Sequence, residues 1–538
     1  MSNTKSYPLF VLLGCLACAC NGGGGKADSD TDDDGGPDGG PEGVSLDPGD
    51  VLVLEPGGGG AFAVDVATSG ADERYVLLLL SESRQPGGTW SYEVTVDGAA
   101  LPAPGESGPW GHDDALLPAD HHGWQQALDA LRAGAAAATP SRTEIPEVGD
   151  MLSFTIRGDT GYVDIDCEVM VVTEQLMVVF DRTTTADLDI DPGILGEVAG
   201  NFAGIVLPRL RIYFGEESDV NGDERVTLLY SPLVFTATSG TVAYFFPCDL
   251  LDPGAAGCPY SNEQELIYMS PPDLLSPHMG TANAITETLA HEMQHAIYFF
   301  RKFLLNDGVT EQESIYINEG MSAMAQDLSG FQAGNLYVAA AAIEQVDDVS
   351  MAGVLGWPMG YNQQLDGVWR GAAYLFLRYV FEQAGGESMD GAGGIEDLGG
   401  IAFIGAMSNL PAWGWDGVEA AAGRPAEDLI AGMFTAMLLD DRELDGAPLT
   451  DDPAFLFQDP WPDPLTGRQR GITMNYDLAG GSWKVRGVPL QQGGADGSIR
   501  AGGAEYILIE APADGGTLAI GAFAASGADL AARLVRIR

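Results

Sequence analysis

Lysine is almost missing from this chain. Only Lys5, Lys26, Lys302 and Lys484 occur in 538 residues, and basic residues total 25 against 78 acidic ones. The formal charge of −53 repels phosphate backbones and excludes nucleic acid as a partner. Cysteine is scarce too: of six, only Cys167, Cys248 and Cys258 lie beyond residue 20, too few for a thiolate metal cluster. Histidine is limited to His112, His121, His122, His278, His291 and His295, with none after. Beyond the amino terminus no run approaches the roughly eighteen apolar residues of a membrane span, and no internal repeat stands out.

What the chain does hold is H-E-x-x-H, at His291-Glu292-Met293-Gln294-His295 within ITETLAHEMQHAIYFFRKF. On a helix, positions i and i+4 share a face, so both imidazoles can reach one metal ion. Glu292 then stands beside the open coordination position, where a water can be held and deprotonated. Ile285, Leu289, Ala296, Ile297 and Phe300 give the pattern of a buried helix, and Thr281 or Asn283 caps its start. The plainer reading is a core helix that happens to carry two histidines. Two histidines and a glutamate on a buried face nevertheless demand partners. With no histidine after His295, the third ligand must be a carboxylate or an upstream histidine. SIYINEGMSAMAQDL supplies Glu319, with 23 residues between it and His295. Two apolar helices joined around Asn306-Asp307-Gly308 can return Glu319 over the first helix. The expected ligands are therefore His291, His295 and Glu319, with water in the fourth position.

TLAHEMQH (Thr288–His295) followed by NEGMS (Asn318–Ser322) resembles the gluzincins, and among them the hyicolysin-like bacterial metallopeptidases. FGEESDVNGDERVTLLY, TVAYFFPCD, NEQELIYM and RGAAYLFLRYVFEQAGG are similar as well, so the resemblance covers about 207–386. It implies an α+β, thermolysin-like zinc endopeptidase acting on protein or peptide substrates, with Glu292 as general base. The family's second oxyanion donor is a downstream histidine or tyrosine. No histidine is available, which leaves Tyr374 and Tyr361, although Tyr374 sits among Leu375, Phe376 and Leu377 as a core residue would. Tyr316-Ile317 stands where Trp-Leu is usual, and Ala323 where an aspartate is usual. The partners of the ligand histidines are thus unassigned. An aminopeptidase-like gluzincin would need an acidic subsite of the G-x-M-E-N kind, and none is visible. A surface adhesin with an inactive peptidase fold is the reading from another class. Retention of Glu292 with all three ligands argues against it.

The amino terminus points to export. Lys5 precedes YPLFVLLGCLACAC, which reads as a bacterial lipoprotein signal over 1–20. LLGC favours Cys15 as the lipidated residue, Cys20 gives a more usual signal length, and Cys18 lies between them. An ordinary cleaved secretory signal is the plainer alternative. The mature chain is expected to be lipid-anchored to the outer membrane or cell surface, otherwise secreted, and to touch membrane only through that anchor. Residues 21–43 form a Gly/Asp-rich linker expected to be disordered.

From Val44 to about Gly105 the chain alternates apolar and polar positions between turns, then a helix is expected around Trp124–Ala138 and strands at Met151–Arg157, Tyr162–Val172 and Gln175–Phe180, so 44–189 reads as a β-rich region, either a prodomain or a support. The catalytic body is placed at 190–445, with strands at Leu210–Phe214 and Val226–Tyr230 and helices from Thr281 onward. A C-terminal β-domain fills 446–538. Between those two strands Asp219, Asn221 and Asp223 alternate as in a calcium loop, with the Arg225 carbonyl and Thr227 as further ligands. Glu224 stands where such loops carry Gly, and Tyr230 where they carry Glu; a polar hairpin turn is the alternative. Cys248 and Cys258 flank a turn-rich loop that a disulfide can close in an oxidising compartment, and Cys167 reads as a buried thiol.

Overall fold

The computed structural model describes residues 43–538 apart from 58–59, 71, 86–87, 102–122, 140–144, 239, 255–256, 307–310, 312, 352–365, 479–482 and 493–496. The signal segment with Cys15, Cys18 and Cys20, the linker up to residue 42, and Tyr361 lie outside the described residues. The architecture is mixed α+β.

The amino- and carboxy-terminal β-segments do not make two domains. They interleave into one sandwich. One sheet runs Val51–Leu54, Leu530–Arg536, Arg74–Ser81, Ala504–Glu510, Gln491–Gln492. The other runs Phe62–Thr68, Gly516–Ala524, Thr89–Val96, Gly497–Arg500. Strand Arg74–Ser81 explains how the sandwich joins the rest. Tyr75, Leu77 and Leu79 face the sandwich interior, while Val76, Leu78 and Leu80 enter the main core. A strand buried on both faces carries a continuous apolar run rather than an alternating one, and RYVLLLLS is such a run.

The expected boundary near 190 also dissolves. Met151–Gly158, Gly161–Val172 and Leu176–Asp181 form a meander whose last strand pairs in parallel with Val226–Tyr230. Leu266–Met269 pairs in parallel with Val226–Tyr230 on its other side, and Ala243–Phe245 closes that edge antiparallel. Residues 151–181 therefore belong to the sheet that backs the H-E-x-x-H helix. The strand expected at Leu210–Phe214 is instead part of a helix, Leu207–Tyr213. Pro208 occupies its first turn, and the buried positions Leu207, Leu210 and Tyr213 recur every three residues, a helical rather than a strand period.

Cys248 and Cys258 are bonded, with Cα atoms 5.4 Å apart, and Cys167 is a buried free thiol. Among the described residues no helix is long and apolar enough to cross a membrane.

Beside Cys248, the Asp249 carboxylate is fully buried and accepts hydrogen bonds from the Tyr268 hydroxyl and the Asn262 backbone N–H, both at 2.7 Å. Burial pushes its pKa up to about 7, against about 3.9 for an unfolded aspartate. The folded chain thus keeps a proton that the unfolded chain releases. Its contribution to stability is complete below pH ~4 and is lost as pH rises through about 7. Denaturant unfolding of Asp249→Asn from pH 4 to 8 should therefore show a pH slope shallower than wild type by up to one proton; identical slopes would refute the assignment.

Candidate metal centre

The helix Ala282–Phe299 starts at Thr281, whose hydroxyl accepts the Ala284 N–H at 3.3 Å, so of the two caps considered Thr281 serves. It puts His291 and His295 on one face, with ring centroids 5.0 Å apart. A second helix, Ile315–Ser329, starts at Ser314 and lays Glu319 against them. Glu319 Oε2 is 3.4 Å from His291 Nε2, and Oε1 is 3.6 Å from His295 Nε2. The three ligand atoms lie within 4.8 Å of one another, the only such set of His, Cys, Asp and Glu groups among the described residues. Bonds of about 2.1 Å in a tetrahedral site put neighbouring ligand atoms roughly 3.4 Å apart, so the set fits a divalent metal with one position left open. Two imidazoles and a carboxylate suit zinc and also other transition metals. His278, by contrast, is exposed in the turn Pro277–Gly280.

The partners of the ligand histidines, missing from the sequence reading, are Gln326 and Asn318. Gln326 Oε1 lies 3.3 Å from His291 Nδ1, and Asn318 Oδ1 lies 3.3 Å from His295 Nδ1. An amide oxygen at Nδ1 favours the tautomer that leaves Nε2 as the ligand atom. Glu287 extends the first chain, accepting from Gln326 Nε2 at 3.5 Å and from the Gly334 N–H at 2.6 Å. Burial pushes the Glu287 pKa up to about 7. Glu319, Ser322 and Gln326 recur at i, i+3 and i+7 along this helix, a polar stripe that could have been read from the sequence. Trp124, from the supposed prodomain region, stands edge-on to the His295 ring with centroids 6.2 Å apart. That segment walls the site.

Glu292 is buried, one residue from His291. Tyr374 is not turned to the ligands: its hydroxyl donates to Asp327 or Gln332, at 2.9 and 2.8 Å. The residue that does reach them from the same helix, Asp366–Gln383, is Arg370, whose guanidinium bonds the Glu319 carboxylate. Sequence reasoning passed over it because one arginine on an apolar helix carries no signature. The approach of this helix explains the glycine of N-E-G. A Cβ on Gly320 would meet Leu377 Cδ1 at 2.8 Å and the Ala373 carbonyl at 2.9 Å.

Asp219, Asn221, Asp223 and Arg225 form a separate loop before strand Val226–Tyr230. Thr227, within that strand, directs its hydroxyl to Gln264 Oε1 at 3.3 Å.

Asn318→Ala and Gln326→Ala should each weaken metal binding by about 10–100-fold in a chelator competition titration while the chain stays folded. Unchanged affinity in both would remove them from the site. Gly320→Ala should lower the melting temperature by several degrees, since a backbone carbonyl cannot yield to the added methyl. No protein-family model matches this chain, and no curated protein matches it.

Proposed function

We propose that this chain is an exported zinc endopeptidase of the gluzincin kind, its mixed α+β body being a thermolysin-like catalytic unit. The observation that carries the reading is the convergence of His291, His295 and Glu319, with Glu292 fixed beside them on the same helix. Zinc held there would polarise a scissile carbonyl and acidify a water. Glu292 would take the proton from that water and pass it to the departing amine. Its burial suits this task by keeping the carboxylate beside the ligand histidines and away from bulk solvent.

The second donor to the developing oxyanion is assigned to Arg370, whose guanidinium is brought to the ligand set by its bond to the Glu319 carboxylate. Tyr374 is a weaker candidate because its hydroxyl is held by Asp327 and Gln332. Tyr361 stays a candidate. The edge strand Ala243–Phe245 packs on the H-E-x-x-H helix and ends its sheet, which supports an extended substrate pairing there as an added strand. The Cys248–Cys258 disulfide agrees with the export expected from the amino terminus.

The test measures zinc content and cleavage of casein and a broad peptide library by the mature chain, beside two variants. Glu292→Gln should keep its zinc and lose at least about 100-fold in kcat/KM. Glu319→Ala should lose zinc itself. Wild-type activity in Glu292→Gln would end the mechanism. A zinc-loaded wild type that cleaves nothing would point to a binding protein, and full metal retention in Glu319→Ala would place the third ligand elsewhere.

A further inference from the structure

The loop between helix Leu207–Tyr213 and strand Val226–Tyr230 is Asp219-Val220-Asn221-Gly222-Asp223-Glu224-Arg225. Its backbone has the form that a calcium loop needs. Asp219 Oδ1 accepts the Glu224 N–H at 3.1 Å, Asn221 Oδ1 that of Asp223 at 3.1 Å, and Asp223 Oδ1 that of Arg225 at 2.9 Å. Glu224, standing where such loops carry glycine, nevertheless adopts the left-handed φ of 57°. The residue type departs from the pattern and the conformation does not.

Such a loop alone proves little, and a polar turn could look the same. The decisive observation lies on a neighbouring segment. Glu265, just before strand Leu266–Met269, is 1% exposed and lies against the loop, its Oε1 accepting the Val220 N–H at 3.0 Å. Its other oxygen, Oε2, is buried and completes no hydrogen bond of sound geometry, although the Ser218 hydroxyl stands near the carboxylate. Asp223 Oδ2 is likewise buried and completes no hydrogen bond of sound geometry, in a side chain 8% exposed that has the Asn221 side chain beside it. A buried carboxylate oxygen without a partner is costly unless a cation meets it. Burial pushes the Glu265 pKa up to about 7 and raises that of Asp223, outweighing at Asp223 the neighbouring Arg225 charge.

We propose that Asp219, Asn221, Asp223 and Glu265 bind a hard divalent cation, calcium, with Glu265 in the role that a twelfth-position glutamate plays in an EF-hand loop. The sequence conceals this ligand because it arrives 42 residues after Asp223, by way of the adjacent parallel strand. Oxygen-only donors with up to three negative charges suit calcium; magnesium demands a tighter octahedron. The three carboxylates are not yet gathered within 4.8 Å of one another, as the His291 set is. Binding therefore contracts the loop onto Glu265 and pins the starts of two neighbouring parallel strands. The site shares no residue with the zinc ligands and does not depend on the peptidase reading.

The experiment uses the full mature chain stripped of free metal on a chelating resin, with its zinc content measured separately. Calcium chloride is titrated by calorimetry and by thermal shift, with magnesium chloride as control. Wild type should show one calcium site and a rise in melting temperature, with magnesium binding at least tenfold weaker. Glu265→Gln and Asp223→Asn should each weaken calcium binding tenfold or more. Asp219→Asn, at an exposed position that cannot unfold the core, should do the same and keep its zinc. Equal calcium response in wild type and Asp219→Asn, or in wild type and Glu265→Gln, would mean diffuse binding to an acidic surface and would overturn the proposal, as would no binding at millimolar calcium.

Discussion

The relative register of two helices governs everything at the metal centre. His291 and His295 share one helix, so their spacing is automatic. Glu319 is on another, and a shift of one residue along it would turn the carboxylate away. The Glu319 helix is clamped at both ends by buried charge. At one end Lys302, just past the H-E-x-x-H helix, lies 3.5 Å from Glu313, which precedes the second helix. The Tyr298 hydroxyl also donates to Glu313, at 2.5 Å, and Glu313 in turn accepts the Gly414 N–H at 2.7 Å. At the other end Asp327 accepts from Arg378 at 3.1 Å and from the Gly471 N–H at 3.0 Å. Arg209 and Arg470 donate to the Ser329 and Leu328 carbonyls, each at 2.7 Å, so two cations meet the negative end of that helix.

Between the clamps, distance is set by a missing side chain. Gly320 lets the Asp366–Gln383 helix approach until its Ala373 carbonyl oxygen lies 2.9 Å from where a Cβ would stand. That approach carries Arg370 onto Glu319 and Arg378 onto Asp327. The glycine beside the ligand and the arginine that touches the ligand are thus two consequences of one packing contact. A methyl at Gly320 would disturb the ligand, its counter-charge and the clamp together.

Legibility in the sequence followed the range of each interaction. HEMQH is local, and helical periodicity alone places its two imidazoles. Glu319 was recoverable because the second helix repeats the same apolar pattern. Thr281, the Cys248–Cys258 bridge and the strands at 151–181 were likewise readable from neighbours in the chain. The sandwich was not, since strand Arg74–Ser81 pairs with strands more than 400 residues away and pairing partners leave no local mark. Only the unbroken run of apolar residues in RYVLLLLS hinted that both faces would be covered. The helix at Leu207–Tyr213 was misread as a strand because its short apolar run fits either period until Pro208 is weighed as a helix-starting residue. Arg370 and Glu265 were illegible for a third reason: each acts on a group to which the fold alone brings it.

The scarcity of cations now acquires a structural meaning. Among the described residues four of the 25 basic side chains are fully or almost fully buried, namely Arg209, Lys302, Arg378 and Arg470. All four hold the ends of the Glu319 helix, directly or through Glu313 and Asp327. Burying an ion pair gains little over apolar packing, but removing one partner leaves a charge stranded and costs about 3–5 kcal/mol. Such pairs therefore specify an arrangement more than they stabilise one. Hydrophobic contacts alone would let two apolar helices slide by a turn at small cost, since one alanine or leucine replaces another in the groove. A slide by one turn would leave Glu313 away from Lys302 and Asp327 away from Arg378 simultaneously. Four of this chain's few cations stand where register must be exact, and Glu319 meets both histidines as the result.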